Sequence, residues 1–161
     1  MRRVIVNSTP IIVLAHIGQL DLLKKLYTKV FIPRAVYDEV SKKKDIASTA
    51  LKNSHDWIIV SEISSTESYP MYKAKLHAGE VEVMILAQED PKADLLIIDD
   101  NAAKKTAKYL GLTVTGTMGV LLKAKAEGLI TEVSPLLTKI KENGFYISDG
   151  IVDLVLKQAG E

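Results

Sequence analysis

Several classes of site are excluded by residues that the 161-residue chain lacks. There is no cysteine, so a disulfide framework, a thiolate zinc site and a thiol nucleophile are all ruled out. Such a composition fits an intracellular, cytoplasmic protein. Aromatic residues are also few, with two phenylalanines, one tryptophan and six tyrosines, and no stretch of them indicates a platform for stacking nucleic-acid bases.

Long apolar runs and an excess of charge are missing as well. No segment is long and apolar enough to predict a signal peptide or a membrane span, so we expect no association with a membrane. The net charge is +1, which gives no general attraction to nucleic acid. Any such binding must therefore come from a local patch.

Apolar residues are plentiful, at 47% of the chain, and they occur in short runs. A chain of this length is most simply one domain, residues 1–161. Five runs predict buried strands, namely Val4–Val6, Val30–Ile32, Trp57–Val60, Leu95–Ile98 and Leu112–Val114. Helical patterns separate these runs. The alternation predicts a three-layer α/β fold, in which a five-stranded, mostly parallel sheet is flanked by helices.

The stretch Ala93–Thr117 carries the clearest pattern. Its apolar run stops on Asp99 and Asp100, and an amphipathic helix follows, which Gly111 ends as a C-cap glycine does. This is a βαβ unit with two carboxylates at the edge of the sheet where sites form in open α/β folds. One aspartate can cap the helix while the other faces the cleft, because adjacent residues at a strand end point opposite ways.

The first predicted strand ends at Asn7. Thr9 can cap the helix that follows, and Pro10 suits its first position. A sheet that begins at its centre, winds outward through three strands and returns on the other side would place Asn7 beside Asp99 and Asp100. That position is a topological switch point.

Two glutamates, Glu39 and Glu80, lie at helical positions that predict more than an ordinary solvent-exposed carboxylate. Glu39 follows Val36 by three residues, on an apolar stripe, where an acid is costly unless it is paired, hydrogen-bonded or metal-bound. The alternative is that it bends to water from the edge of the stripe. Glu80 follows Gly79, which is predicted to interrupt the helical pattern and which allows close approach of other backbone. The alternative for Glu80 is a first-turn glutamate stabilised by the helix dipole.

Taken together, Glu39, Glu80, Asp99 and Asp100 predict one acidic edge. Like charges raise each other's pKa, so such a cluster needs a cation to stay ionised. Without cysteine or paired histidines, the cluster suits Mg²⁺ or Mn²⁺, which can activate water in phosphodiester cleavage. The three histidines have no ligand-pair spacing and are interpreted as ordinary surface or loop residues.

Ordered motifs along nearly the whole chain resemble those of PIN-domain proteins, in particular a prokaryotic branch related to VapC-type toxins. The matching segments are VNSTPIIVLAHIGQLDLL, IPRAVYDEV, GEVEVMILA, LLIIDDNAAKKTAKYLGL and VTGTMGVLLKAKAEGLI. The resemblance implies a PIN-like fold with a five-stranded parallel sheet and metal-dependent ribonuclease activity. It also implies RNA as substrate, an antitoxin protein as partner, and a homodimer.

The resemblance further assigns residues to the site. Catalytic and metal-binding positions would be Asn7, Glu39, Glu80, Asp99 and Asp100. Ser8 or Thr9 would match the hydroxyl residue that supports the first acid, and Thr115 and Thr117 would lie near the site as polar residues. Lys104, Lys105 and Lys108 share the helix beside the aspartates and are interpreted either as RNA-phosphate contacts or as a solvated helix face.

One departure from the family pattern bears on activity. Asn7 stands where the family has its first aspartate, so we expect weaker metal binding and slower or absent cleavage. The alternative function is a catalytically inactive PIN-like module that binds RNA or a protein. A nucleotide-binding domain of the flavodoxin or receiver kind is a third possibility, which the absence of a glycine-rich loop after the first strand disfavours.

Overall fold

A computed structural model of the protein describes residues 3–67 and 69–161. Five strands form one sheet, and their bounds are β1 Arg3–Val6, β2 Val30–Pro33, β3 Ile58–Ser61, β4 Ala93–Ile97 and β5 Val114–Thr115. They pair in the order β3-β2-β1-β4-β5, and every pairing is parallel. The predicted α/β fold and its central first strand are confirmed.

Ten helices connect and cover the strands in the described part of the chain. Their bounds are α1 Ser8–His16, α2 Asp21–Tyr27, α3 Arg34–Lys42, α4 Ile46–Asn53, α5 Tyr69–Lys73, α6 Ala78–Glu89, α7 Asn101–Tyr109, α8 Thr117–Ala126, α9 Ser134–Glu142 and α10 Asp149–Ala159. None of them is long and apolar enough to cross a membrane, as far as the described residues go.

Strands β1 and β4 are apolar on both faces because helices cover the sheet on each side. Val4 and Val6 are fully buried in β1, and Leu96 and Ile97 are buried next to them in β4. The two strands run in register up to Val6 and Ile97. The backbone N–H of Asn7 then donates to the Ile97 carbonyl at 2.9 Å, so the pairing continues to the point where the polar residues begin.

Two helix starts differ from the sequence prediction. Helix α1 begins at Ser8 with Asn7 as its N-cap residue, so the prediction of Thr9 as the cap was wrong. Gly79 was predicted to break the chain, yet it is the second residue of α6. Glycine, which has no side chain, suits this position because the first turn of α6 packs closely against the side chains of Val36, Glu39 and Asn7.

The two predicted ends of α7 are confirmed, and a further cap is found at α10. Asp100 is the N-cap of α7, and its carboxylate accepts a hydrogen bond from the Ala103 N–H at 2.9 Å. Gly111 follows the same helix with a φ of 78°, in the left-handed region that glycine adopts without strain. Ser148 caps α10 by accepting from the Ile151 N–H at 3.2 Å.

Candidate functional site

A cavity of about 320 Å³ opens at the carboxyl ends of β1 and β4. It is lined by Asn7, Ser8, Thr9, Glu39, His77, Gly79, Glu80, Asp99 and Asp100. All five side chains that the sequence predicted as ligands therefore lie around one space. Residues that are far apart in the chain meet there because parallel strands bring their carboxyl ends to the same edge of the sheet.

Asn7 lies at the bottom of this cavity, at the junction of β1 and α1. It is 4% exposed, and its Oδ1 atom has no hydrogen-bond partner among the described residues. Its side chain does not cap α1. A buried carbonyl oxygen without a donor costs free energy, so this atom is disposed to accept a hydrogen bond or to coordinate a cation.

Glu39 reaches the cavity from α3. The prediction that it lies on the buried stripe was wrong, since Val36 and Val40 are buried whereas Glu39 is exposed. It lies beside the stripe at the mouth of the cavity. The hydroxyl of Ser8 donates to its Oε2 atom, so Ser8 supports Glu39 rather than the side chain of Asn7.

Glu80 is the most buried acid of the cavity, with 7% of its surface exposed. Its Oε1 atom accepts a hydrogen bond from the His77 N–H at 3.0 Å, which stabilises the start of α6. Burial raises the pKa of the carboxyl group, and the charges of Asp100 and Glu39 raise it further. The two interpretations of Glu80 thus both apply, because the residue supports the first turn of α6 and also lines the cavity.

Gly79 keeps the space between these groups open. A Cβ atom at this position would lie 3.4 Å from Glu39 Oε2 and 3.5 Å from Asn7 Oδ1. The three residues therefore surround a small cradle that any other side chain would fill.

Asp99 and Asp100 both line the cavity, although each also has a structural partner. Asp99 accepts hydrogen bonds from the Thr117 N–H at 2.7 Å and from the Thr117 hydroxyl at 2.6 Å. Asp100 caps α7, as described above. The expectation that only one of them faces the cleft was wrong, because β4 ends at Ile97 and the strand alternation no longer governs them.

The remaining predicted residues take different positions. Thr117 is 2% exposed and holds Asp99, whereas Thr115 does not line the cavity. Thr9 is exposed at the rim. Lys104 is half-buried near Asp99, while Lys105 and Lys108 are exposed and do not line the cavity.

His77 is a cavity residue that the sequence did not identify. It was interpreted as an ordinary surface or loop residue, but it immediately precedes α6 and lines the same cavity as Asn7 and Ser8. The only signal for it was its position three residues before Glu80, the spacing of a helix-start pair.

An oxygen-rich cavity with an unpartnered amide oxygen fits Mg²⁺ or Mn²⁺ better than a soft metal. Among residues 3–67 and 69–161, no three acidic or histidine side chains stand close enough to hold one ion directly. The arrangement therefore fits a hydrated cation, which binds through one or two carboxylates and keeps several water molecules.

Comparison with known proteins adds a family assignment to this geometry. A sequence model of a family described as PIN domain matches residues 3–161. No match was found among curated proteins.

Proposed function

Because the chain belongs to the PIN-domain family, we propose that it is a metal-dependent endoribonuclease that cleaves RNA at the acidic cavity. The observation that carries this proposal is the convergence of four carboxylates and the Asn7 amide on one cavity at the switch point of the sheet. The fold by itself would not be enough, because one fold supports many activities.

In the proposed site, one or two of Glu39, Glu80, Asp99 and Asp100 would hold hydrated Mg²⁺ or Mn²⁺ directly and the others would do so through its water molecules, with Asn7 as a neutral ligand or as the residue that orients a water. When bound, such a cation holds the phosphate and makes water a better nucleophile.

The chain's own side chains then have separate tasks. Asn7 Oδ1 would accept a hydrogen bond from a water molecule and so orient it, because this buried oxygen has no donor within residues 3–67 and 69–161. Ser8 fixes the carboxylate of Glu39, and Thr117 fixes that of Asp99. These two contacts limit the rotation of the acids that line the cavity.

Replacement of Glu80 by glutamine tests the proposal. We expect cleavage of single-stranded RNA by the wild-type protein in Mn²⁺ and its loss in Glu80→Gln, because one cavity charge is removed without a change of shape. Glu82→Gln is the matched control on the same helix. Glu82 accepts from the Ala35 N–H at 3.0 Å and does not line the cavity, so this variant should cleave normally. Full activity of Glu80→Gln would remove Glu80 from the mechanism.

The second candidate function is an inactive PIN-like module that binds RNA or a protein. It is favoured by Asn7, which takes one negative charge from the site. Asn7→Asp separates the two functions. Cleavage that appears or rises sharply in this variant would mean that the rest of the site is competent. Unchanged absence of cleavage together with RNA binding would favour the module.

A role as the toxin of a toxin–antitoxin pair is a narrower proposal that is supported by the motif resemblance alone. We expect expression of the wild type to stop bacterial growth and expression of Glu80→Gln to permit it. Co-expression of a neighbouring antitoxin should restore growth. The homodimer also remains a proposal, supported by Leu154, which is 50% exposed on α10 and lies outside the acidic cavity and the cavity that adjoins it. Light scattering measures it directly.

A further inference from the structure

A second and larger cavity, of about 580 Å³, adjoins the acidic one. Thr9 and Asp99 line both cavities, so the two form a continuous surface. The second cavity is called the side groove below. Its apolar wall comes from Met118 on α8 and from Phe145, Tyr146 and Ile147, the residues between α9 and α10.

The aromatic residues of the side groove differ in exposure. Phe145 is half-buried, and its ring packs against the His16 ring in a T-shaped contact with 5.5 Å between centroids, so it forms part of the groove wall. The ring of Tyr146 is 90% exposed. A largely exposed aromatic ring next to a polar site leaves a flat apolar face for a planar ligand.

The polar residues of the side groove indicate the charge of that ligand. Lys104 lines it, and a Cβ atom at Gly116 would lie 2.9 Å from Lys104 Nζ and 2.6 Å from Asp99 Oδ1. Lys104 forms no ion pair within the described residues. A ligand here should therefore combine a flat apolar part with a negative charge. The apolar surface of a second copy of the chain fits less well, because it would cover the polar side chains of Asp99, Asn101 and Lys104 without hydrogen-bonding to them.

We propose that the side groove is a nucleobase subsite for single-stranded RNA, in which Tyr146 stacks on a base next to the cleaved position and Lys104 contacts its phosphate. The location rests on the proposed ribonuclease function, since the base would follow from a phosphate in the acidic cavity. Stacking on an aromatic face tolerates every base, so the subsite selects unpaired nucleotides rather than a sequence. Double-stranded RNA would be excluded, because its bases are already stacked.

The test measures binding without cleavage. A short single-stranded RNA that contains 2-aminopurine is titrated in Mn²⁺ with the protein in the Glu80→Gln background, which should not cleave it, and the quenching of its fluorescence reports stacking. We expect Tyr146→Ala to weaken binding on the order of tenfold and to abolish the quenching. Tyr109→Ala is the matched control, because Tyr109 is also 90% exposed but lies at the end of α7, away from the side groove.

A second pair of variants tests the phosphate contact. Lys104→Gln should lower the slope of log affinity against log salt by about 0.7, the value for one contact with a single strand. Lys105→Gln, on the exposed side of the same helix, should leave the slope unchanged. Equal effects in the two members of either pair would overturn the subsite, as would failure of the Glu80→Gln parent to bind this RNA.

These outcomes distinguish failure of the subsite from failure of the ribonuclease proposal. If Mn²⁺-dependent cleavage occurs while Tyr146→Ala binds normally, the subsite is wrong and the nuclease function stands. If no variant cleaves RNA but Tyr146→Ala alone loses binding, the subsite stands and the nuclease function fails. Light scattering of Tyr146→Ala completes the test, since a change from dimer to monomer would show that the side groove is occupied by a second copy and overturn the proposal.

Discussion

The carboxyl group of Glu80 is buried near two other carboxylates, and the fold therefore opposes its ionisation. Burial raises the pKa of Glu80, with further contributions from the charges of Asp100 and Glu39. In the unfolded chain the same group ionises at its ordinary value of 4.5. Because the folded protein holds this proton more tightly, ionisation of Glu80 subtracts stability as the pH rises above 4.5.

Glu80→Gln should therefore make the metal-free protein more stable at neutral pH. The melting temperature of the variant should exceed that of the wild type at pH 7, and the difference should vanish below pH 4.5, where Glu80 is protonated in both states. Thermal unfolding in EDTA across this pH range measures it. Glutamine can still accept the hydrogen bond from the His77 N–H, so no structural contact is lost.

Glu82→Gln, on the same helix, should change the stability in the opposite direction. The carboxylate of Glu82 accepts from the Ala35 N–H at the start of α3, where negative charge is favourable. Its removal should lower stability by about 1 kcal/mol, or roughly 2–4 °C in melting temperature. A lower melting temperature for Glu80→Gln at pH 7 would contradict the electrostatic account of the cavity.

At the scale of secondary-structure elements, the last residue ties three helices together. The side chain of Glu161 accepts from the Val133 and Ser134 N–H groups at 2.7 and 2.9 Å, at the start of α9. Lys125 on α8 donates to the same carboxylate and to the Ala159 carbonyl of α10. These hydrogen bonds lower the pKa of Glu161 to about 2, and the bond from the Val133 N–H makes the largest contribution.

Glu161 should therefore stabilise the protein in a pH-dependent way. Its folded pKa is below the value of 4.5 in the unfolded chain, so its contribution is complete above pH 4.5 and is lost as the pH falls toward 2. Glu161→Gln should have a lower melting temperature than the wild type at pH 7, and the gap should close between pH 4.5 and 2. The exposed Glu142, replaced by glutamine in the same way, is the control. A gap that stays constant with pH would contradict the charge-based contact.

The link between β5 and α8 depends on a glycine for steric reasons. A Cβ atom at Gly116 would lie 2.6 Å from Asp99 Oδ1 and 3.3 Å from the Ile98 carbonyl. Gly116→Ala should push Asp99 away from Thr117 and lower stability by about 1–3 kcal/mol, as measured by denaturant unfolding. Gly150→Ala is the control, since open space surrounds Gly150 in α10 and alanine favours a helix. Equal effects of the two substitutions would contradict the proposed packing.

The sequence allowed these elements to be located because their signals are local. Apolar runs such as Leu95–Ile98 identified the strands, and Asp100 and Gly111 marked the two ends of α7. Local sequence signals predict the start of a helix less well where tertiary contacts determine it. Gly79 looked like a break, yet the fold places it inside α6, where its lack of a side chain preserves the space between Glu39 and Asn7.

At the scale of the whole molecule, the strand order accounts for what could be predicted about the cavity. Asn7 and Asp99 could be placed together from sequence, because a central first strand must neighbour the fourth in this topology. The exposure of Glu39 was only one of two interpretations that the sequence left open, and the hydrogen bond from Ser8 and the presence of His77 in the cavity could not be predicted. They depend on how α3 and α6 lie across the sheet, which amphipathic spacing does not determine.

The same topology would couple cation binding in the cavity to the stability of the whole fold. The cavity joins residues from the ends of β1 and β4 with residues from α3 and α6, so a cation held there must stabilise the protein against global unfolding. At a Mn²⁺ concentration of about one hundred times Kd, the gain is about 2.7 kcal/mol, or roughly 5–10 °C in melting temperature. Asn7→Asp should bind about tenfold more tightly, because it adds a negative charge beside the cation.

That variant should also be less stable than the wild type in EDTA, since a buried aspartate would face the other carboxylates without a cation. Its melting temperature should therefore begin lower and rise further with Mn²⁺, so that the two titration curves converge or cross. Asn53→Asp adds the same charge on an exposed residue of α4 and should follow the wild type.

A test with Glu80→Gln shows whether the cation binds in this cavity. Removal of the Glu80 charge must lower the affinity of a site there, so an equal rise in melting temperature with Mn²⁺ for Glu80→Gln and the wild type would mean that the cation binds elsewhere.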